Sequence, residues 1–422
     1  DDGNQSNTDS CTNACEDPRC GDGFIQPGNQ FAGFAEQSLI PTNGRNRDTF
    51  GRDRIGLSGR TMVVGAPPVN GGAVYVFYRN GDEPDATHSQ TQQLFPNDLE
   101  VGDQFGFAVD VEGNTLIVGA TGADMVMNEG AAYIFTRDAD AAGSPWTQTA
   151  RLENESAGLN DAFGYAVGVS GDYAIIGAWS EDDPAQCCNT GAAYIFGRDA
   201  QDPHGPWQKL HRFAGTGTSD SFGISAAIDG DYAIVGVPGA DGAENDSGTA
   251  VIFAKDALGV WRQDAVLAAL DGARFDNFGH SVDIAGRYAI IGAPFASSAG
   301  KNAHGKAYIF ERQDNGVWVQ ATQLVDPLSV SNDRMGTSVS ISGDLAVVGI
   351  PRDDGAGNDA GSAFIYGRDS TGTWRGIKEV RASDGGDNDW FGDGTGAGDG
   401  IIALGAPLWE ALDGNNDGKV YV

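Results

Sequence analysis

The sequence is poor in cations. Lys occurs only six times, and Lys plus Arg total 26 against 59 Asp plus Glu, giving a formal net charge of −33. Such a field repels polyphosphates and anionic lipid surfaces, so we exclude nucleic acid as a partner. Asp outnumbers Glu 46 to 13. This excess is typical of turns, where the short Asp side chain bonds nearby backbone. The simpler interpretation of the Asp excess is that it lies in solvated loops, and the more specific one is that some of these loops bind calcium.

Long apolar runs are absent as well. No segment approaches the roughly 18 consecutive apolar residues of a membrane-spanning helix, and we therefore expect no membrane insertion. No signal-peptide pattern stands at the start, so we expect Asp1 to be a processed N-terminus.

Catalytic motifs are missing too. The sequence contains neither HExxH nor GxSxG. The histidines fall at unrelated positions of the chain: His88, His204, His211, His280 and His304. Acidic residues are too abundant to single out one acid and one base. We therefore predict a protein that is not an enzyme and that has no catalytic residues.

Cysteine is scarce and unevenly placed. Cys11, Cys15 and Cys20 lie in the N-terminal tail, and Cys187 and Cys188 are adjacent in one loop. This clustering favours an oxidising, extracellular or cell-surface location. An odd count leaves one thiol unpaired within the chain or bonded to another chain. The adjacent pair either forms a strained vicinal disulfide or bonds the tail of a partner.

What the sequence does contain is a repeat. Residues 163–196 show it most clearly: an apolar-alternating run, a Gly-Asp turn, a second apolar run, an acidic loop and a third run. Each copy opens on a Phe-Gly or Met-Gly pair, at Phe50, Phe105, Phe163, Phe222, Phe278, Met335 and Phe391. A second Gly follows 14 residues later, or 15 in the first copy, at Gly65, Gly119, Gly177, Gly236, Gly292, Gly349 and Gly405.

The number of strands predicts a closed ring. Six copies are followed by a fourth strand-like run outside the three-stranded meander, and the seventh copy is not. Residues 34–40 supply the missing run from the other end of the chain. We predict an all-β, seven-bladed propeller of four-stranded blades over residues 34–422, closed by this N-terminal strand. Residues 1–33 form a separate cysteine-containing arm, too polar to build a core of its own.

These motifs resemble the FG-GAP repeat family, a propeller type also found in integrin α subunits. Gly65-Ala66-Pro67, Gly292-Ala293-Pro294 and Gly405-Ala406-Pro407 match its second motif outright, and the other copies are variants. The resemblance implies an extracellular binding or adhesion propeller. The arm is similar to a short cysteine-rich repeat of secreted myxobacterial-type proteins, although the cysteines expected at both of its ends are absent.

An Asp stands two residues before every opening Phe or Met, at Asp48, Asp103, Asp161, Asp220, Asp276, Asp333 and Asp389. Catalysis needs one asymmetric site, so sevenfold repetition indicates a structural role. We predict an Asx-type turn that leads into the innermost strand.

One loop has the pattern of a calcium site. Asp413, Asn415 and Asp417 offer oxygen ligands at alternate positions before Gly418, as hard cations prefer. No Glu follows at the twelfth position, so a plain turn is the alternative, and Ca²⁺ is the one cofactor that we consider. The first hairpin turns are too short for the calcium loops of integrin-type propellers.

Two functional hypotheses follow. In the first, the protein is a non-catalytic structural protein whose arm docks on another copy of itself and builds an extracellular fibre or surface layer. In the second, the propeller binds glycans or another surface protein through its long loops, with or without calcium.

Overall fold

The computed structural model describes residues 36–42, 49–67, 71–83, 86–123, 129–154, 160–182, 189–202, 205–298, 300–410 and 417–422. In chain order the strands are β1 (Ser38–Leu39), β2 (Gly56–Ser58), β3 (Thr61–Ala66), β4 (Ala73–Arg79), β5 (His88–Leu94), β6 (Phe105–Glu112), β7 (Thr115–Ala120), β8 (Ala131–Thr136), β9 (Thr147–Leu152), β10 (Ala166–Ser170), β11 (Tyr173–Ala178), β12 (Ala192–Gly197), β13 (Gln208–Ala214), β14 (Ala226–Asp229), β15 (Tyr232–Val237), β16 (Thr249–Lys255), β17 (Trp261–Leu267), β18 (Ser281–Ala285), β19 (Tyr288–Ala293), β20 (Lys306–Arg312), β21 (Trp318–Leu324), β22 (Val339–Ser342), β23 (Leu345–Ile350), β24 (Ser362–Arg368), β25 (Trp374–Val380), β26 (Gly394–Gly398), β27 (Ile401–Ala406) and β28 (Lys419–Tyr421).

These strands form seven antiparallel four-stranded sheets. Blades 1 to 6 take four consecutive strands each, starting from β2, β6, β10, β14, β18 and β22, and blade 7 consists of β26, β27, β28 and β1. Each first strand contacts the first strands of both neighbouring blades, β2 contacting β6 and β26, so the seven surround a central axis. The predicted seven-bladed fold is confirmed. Within the described ranges, no helix is long and apolar enough to cross a membrane.

The burial pattern explains the order of strands in each blade. Middle strands such as β7 and β12 are buried along their whole length, as their unbroken apolar sequences require. The fourth strands alternate between buried and exposed residues, as in β21, because one face points to solvent. Three fourth strands, β17, β21 and β25, begin at a Trp.

The core lies between neighbouring blades, and the repeated Phe is part of it. Phe163 is fully buried and its ring lies 5.3 Å from Tyr194 and 6.2 Å from Phe196 of the same blade. The same cluster includes Ile117 and Leu152 of blade 2. Each opening Phe therefore joins two blades through one apolar cluster.

The two repeated glycines meet across the blade boundary. The N–H of Gly164 donates to the carbonyl oxygen of Gly177 within blade 3, at 3.0 Å. A Cβ on Gly177 would lie 2.0 Å from the carbonyl oxygen of Gly223 in blade 4. The corresponding distance is between 1.8 and 2.0 Å at all seven boundaries, including that between Gly405 of blade 7 and Gly51 of blade 1. The second glycine is thus required by close approach of the next blade.

The ring is closed by the N-terminal strand, as predicted. Ser38 pairs with Tyr421 and Leu39 with Val420, and Gln37 exchanges two backbone hydrogen bonds of 2.9 Å with Val422. Leu39 is 6% exposed and belongs to the core cluster shared with blade 1. Among the described residues, β1 lies within the predicted 34–40. The arm, residues 1–33, lies outside the described residues.

Candidate functional site

One position of the repeat differs in every blade. The residue that follows each opening Phe-Gly or Met-Gly pair is half-buried or exposed and lies at one end of the central axis. These seven residues are Arg52, Phe107, Tyr165, Ile224, His280, Thr337 and Asp393. The backbone turns inward here through a left-handed residue before each pair, such as Ala162 with a φ of 55°, and through the Gly itself, with a φ of 90° at Gly164. We call these seven residues the mouth ring. An otherwise regular repeat is therefore chemically asymmetric at its axis.

An axial cavity of about 260 Å³ lies beneath this ring. Arg52, Asp53, Tyr165, His280 and Asp393 are among its lining residues. Asp53 is the extra residue of the first copy and has a left-handed φ of 59°. Its Oδ2 atom is buried and has no hydrogen-bond partner in the part of the chain that the structure describes. The extra residue of the first copy thus places an additional carboxylate in the cavity.

An arginine closes the floor of the cavity. Arg54 crosses the axis from blade 1, with a guanidinium nitrogen 2.9 Å from Asp283 of blade 5 and another 3.7 Å from Asp110 of blade 2. Backbone N–H groups of Ile341 and Val169 donate to these carboxylates, each at 2.9 Å. Burial raises the pKa of Asp110, and the Arg54 charge opposes that shift. We call Arg54, Asp110 and Asp283 the axial triad.

The groups that line the cavity above the triad have shifted pKa values. Burial, with the Asp53 carboxylate as the second cause, raises the pKa of Asp393 to about 7. Burial also raises the pKa of Asp53. Burial and the Arg334 charge lower the pKa of His280 to about 4, and burial raises that of Tyr165 to about 12. At neutral pH the cavity therefore presents a neutral imidazole and a neutral phenol beside Asp393, which is partly protonated.

A second, larger space adjoins the cavity at Tyr165. This cleft of about 520 Å³ lies between blades 2 and 3, and three aromatic rings line it. Phe107 lies 4.6 Å from Tyr165 between ring centroids, and Tyr165 lies 5.8 Å from Trp179. The indole N–H of Trp179 is buried and has no acceptor among the described residues.

The polar residues of the cleft are neutral. Its other described lining residues are Gln104, Thr121, Gly122, Asn160, Ala162, Ser180 and Asn189. No Asp, Glu, Lys or Arg is among the described residues that line it, although the chain carries a net charge of −33. Thr121 and Trp179 occupy the third position of the second motif, where the five other copies have Pro.

Neither the mouth ring nor the cleft was predicted from the sequence. Catalytic motifs are short and local, whereas these residues come from different blades. Two signals were available: the chemical variation directly after each opening pair, and the replacement of Pro by Thr121 and Trp179 in adjacent copies.

The repeated Asp residues lie elsewhere, one at the start of each blade. The carboxylates of Asp103, Asp276, Asp333 and Asp389 each accept the backbone N–H of the residue three positions earlier. Each of these hydrogen bonds therefore joins the Asp side chain to backbone that precedes it in the sequence. Asp220 is bonded in the same way to Gly217, Asp161 is 3% exposed, and Asp48 lies outside the described residues. Burial raises the pKa of Asp333 to about 7. These residues do not converge on one site.

The other predicted site residues are mostly beyond what the structure describes. Cys11, Cys15, Cys20, Cys187 and Cys188 all lie outside the described residues, as do Asp413 and Asn415, so the predicted disulfide and calcium sites stay predictions. Asp417 is described and precedes Gly418 at the start of β28. Among the described residues, no group of three or more His, Cys, Asp or Glu could hold a metal ion.

Comparisons with known proteins agree with this architecture. The family model described as FG-GAP repeat matches six segments: residues 34–77, 88–135, 146–196, 214–253, 261–310 and 318–366. Of blade 7, only β1 falls within these segments, and β26, β27 and β28 lie outside them. The periplasmic gluconolactonase of Pseudomonas aeruginosa is similar in fold, with a TM-score of 0.52 and 13% identity, over 80% of this chain and 87% of that one. No curated protein matches the chain in sequence.

Proposed function

This chain belongs to the FG-GAP repeat family, and from that premise we propose that it is a binding propeller outside the cytoplasm whose cleft takes a neutral carbohydrate. The observation that carries the proposal is the composition of the cleft. Three aromatic rings and a set of amides and hydroxyls line it, and the described lining residues carry no net charge.

Carbohydrates match this composition chemically. The C–H faces of a sugar ring stack on aromatic side chains, and its hydroxyl groups need donors and acceptors that fix their orientation. Gln104, Asn160 and Asn189 provide such groups around the three rings. An ionic ligand would leave its charge without a partner at these residues, which is costly in a partly desolvated cleft. We therefore favour a neutral saccharide over a charged one.

Replacing Tyr165 or Trp179 with alanine should weaken saccharide binding at least tenfold, since loss of a stacking ring costs about 1.4 kcal/mol or more. A glycan array of neutral oligosaccharides, with and without chelator, would identify the ligand, and calorimetry would give the affinities. Trp409→Ala is the matched control, because its half-buried indole lies in blade 7 beneath Lys419, 4.6 Å from the ammonium. A blank array, or full binding by both cleft variants, would contradict the proposal.

Assembly through the arm is the second proposed function, and it is supported by the sequence alone. Residues 1–33 are polar and contain three of five cysteines, an odd total that leaves one available to another chain. Copies joined arm to propeller, head to tail, would form a filament unless the rotation closes them into a ring.

Electron microscopy of the full chain beside a chain starting at residue 34 tests the assembly proposal. We expect filaments from the full chain and separate rings from the shortened one. Non-reducing mass mapping should find a bond between two copies, from Cys11, Cys15 or Cys20 to Cys187 or Cys188. Separate rings in both samples, together with intrachain bonds only, would rule assembly out.

A further inference from the structure

We propose that the axial cavity hydrolyses the glycosidic bond of the saccharide held in the adjoining cleft, with Asp393 as the acid and Asp53 as the base. The inference rests on the proposed binding function and adds a reaction to it. It differs from the prediction, made from the sequence, that the protein is not an enzyme. The pair was not recognised there because Asp53 and Asp393 lie far apart in the sequence.

The first support is that the two carboxylates are neighbours across the boundary between blades 7 and 1. Arg54 and Thr395 form a parallel bridge, and the N–H of Ile55 donates to the carbonyl oxygen of Thr395 at 3.1 Å. A Cβ on Gly394 would lie 2.3 Å from the carbonyl oxygen of Asp53. Asp53 and Asp393 therefore enter one cavity from adjacent backbone segments.

The second support is the connection between the cavity and the cleft. Tyr165 lines both spaces, and Asp53 is close enough for its charge to contribute to the raised pKa of the Tyr165 phenol. A sugar stacked in the cleft against Tyr165 would therefore have its next glycosidic bond at the opening of the cavity. Arg54 of the axial triad lines the same cavity, where a water molecule beside Asp53 would lie near the sugar.

The third support is the protonation of the pair. Burial raises the pKa of both carboxyl groups, that of Asp393 to about 7, and the Asp53 charge contributes to the shift of Asp393. The pair therefore retains a proton in mildly acidic solution, which is what acid–base hydrolysis requires.

The reaction balances with water as the only other reactant. The Asp393 carboxyl donates its proton to the glycosidic oxygen as the bond from that oxygen to C1 breaks, which releases an alcohol. The Asp53 carboxylate accepts a proton from water as the water oxygen bonds to C1, which forms a hemiacetal. Exchange with solvent then returns the proton to Asp393.

The test uses the full chain and 2-aminobenzamide-labelled neutral oligosaccharides of the kinds printed on the array. We expect chromatography to show cleavage at mildly acidic to neutral pH, and ¹⁸O from labelled water to appear at C1. Asp393→Asn and Asp53→Asn should each lower the cleavage rate about 100-fold or more while binding is retained. Asp314→Asn, at a side chain that is 97% exposed, should cleave like the wild type.

Each outcome decides the question. Saccharide that binds and stays intact with the wild-type protein would overturn the hydrolysis proposal and leave the binding proposal standing. A blank array together with no cleavage would overturn both. Cleavage that survives in both Asn variants would show that these carboxylates do not perform the reaction.

Discussion

Gly177→Ala is expected to destabilise the propeller by about 3 kcal/mol or more, at the upper end of what overpacking costs in protein cores. Its new Cβ would lie 2.0 Å from the carbonyl oxygen of Gly223, far inside van der Waals contact. That oxygen belongs to the backbone of the next blade, so no side-chain rotation can relieve the clash. Chemical denaturation followed by tryptophan fluorescence would measure the loss.

Gly143→Ala is the matched control for this substitution. Gly143 lies in the loop between β8 and β9, and a Cβ there would meet nothing within 4 Å. We expect its effect to stay within about 0.5 kcal/mol of zero. Equal stabilities of the two variants would show that the blades can separate at the glycine contact without cost.

Arg54→Met is expected to cost about 3 kcal/mol, because removing one partner of a buried ion pair leaves the other charge uncompensated. Asp283 is 2% exposed at its side chain and would lose its contact with the guanidinium. Asp110, whose pKa burial already raises, would lose the positive charge that opposes this shift. Thermal and denaturant unfolding would report the difference.

The defect of Arg54→Met should shrink as pH falls. Without the guanidinium, the folded-state pKa of Asp110 rises further above its value in the unfolded chain, so folding takes up a proton in mildly acidic solution. The free energy of unfolding of the variant should therefore increase from about pH 8 to about pH 5. Arg60→Met is the control, since its partner Asp82 is 80% exposed at the side chain and surface pairs contribute less than about 1 kcal/mol. A loss no larger than in this control, with no pH dependence, would contradict the role of the axial triad.

The sequence was sufficient to predict the fold because each feature that the fold requires recurs along the chain, once for each blade. The opening Phe or Met, the second Gly and the outer strand each have one structural role, and that role is the same in every blade. The pairing of β1 with β28 could also be predicted by counting strands, since a seventh blade without its fourth strand would have an unpaired strand edge.

The candidate site could not be predicted by the same reasoning. Its residues depart from the repeat, as Trp179 does where other copies have Pro, and as Asp53 does by being an extra residue. In a single sequence, a residue that differs from the repeat does not reveal its role until the structure shows that it faces the axis. Phe107, Tyr165 and Trp179 become one surface only because adjacent blades bring two different motifs to the same end of the ring.

The pairing of β1 with β28 also imposes an order of events on biosynthesis. A chain that leaves the ribosome or a secretion channel N-terminus first exposes Ser38 and Leu39 early, and their partners Val420 and Tyr421 emerge only after the strands of the six blades between them. Blades 1 to 6 can form one after another as their strands appear, but the seventh must wait until β28 has emerged. A prematurely terminated chain would therefore keep an open, adhesive strand edge, by which proteases and chaperones could recognise it.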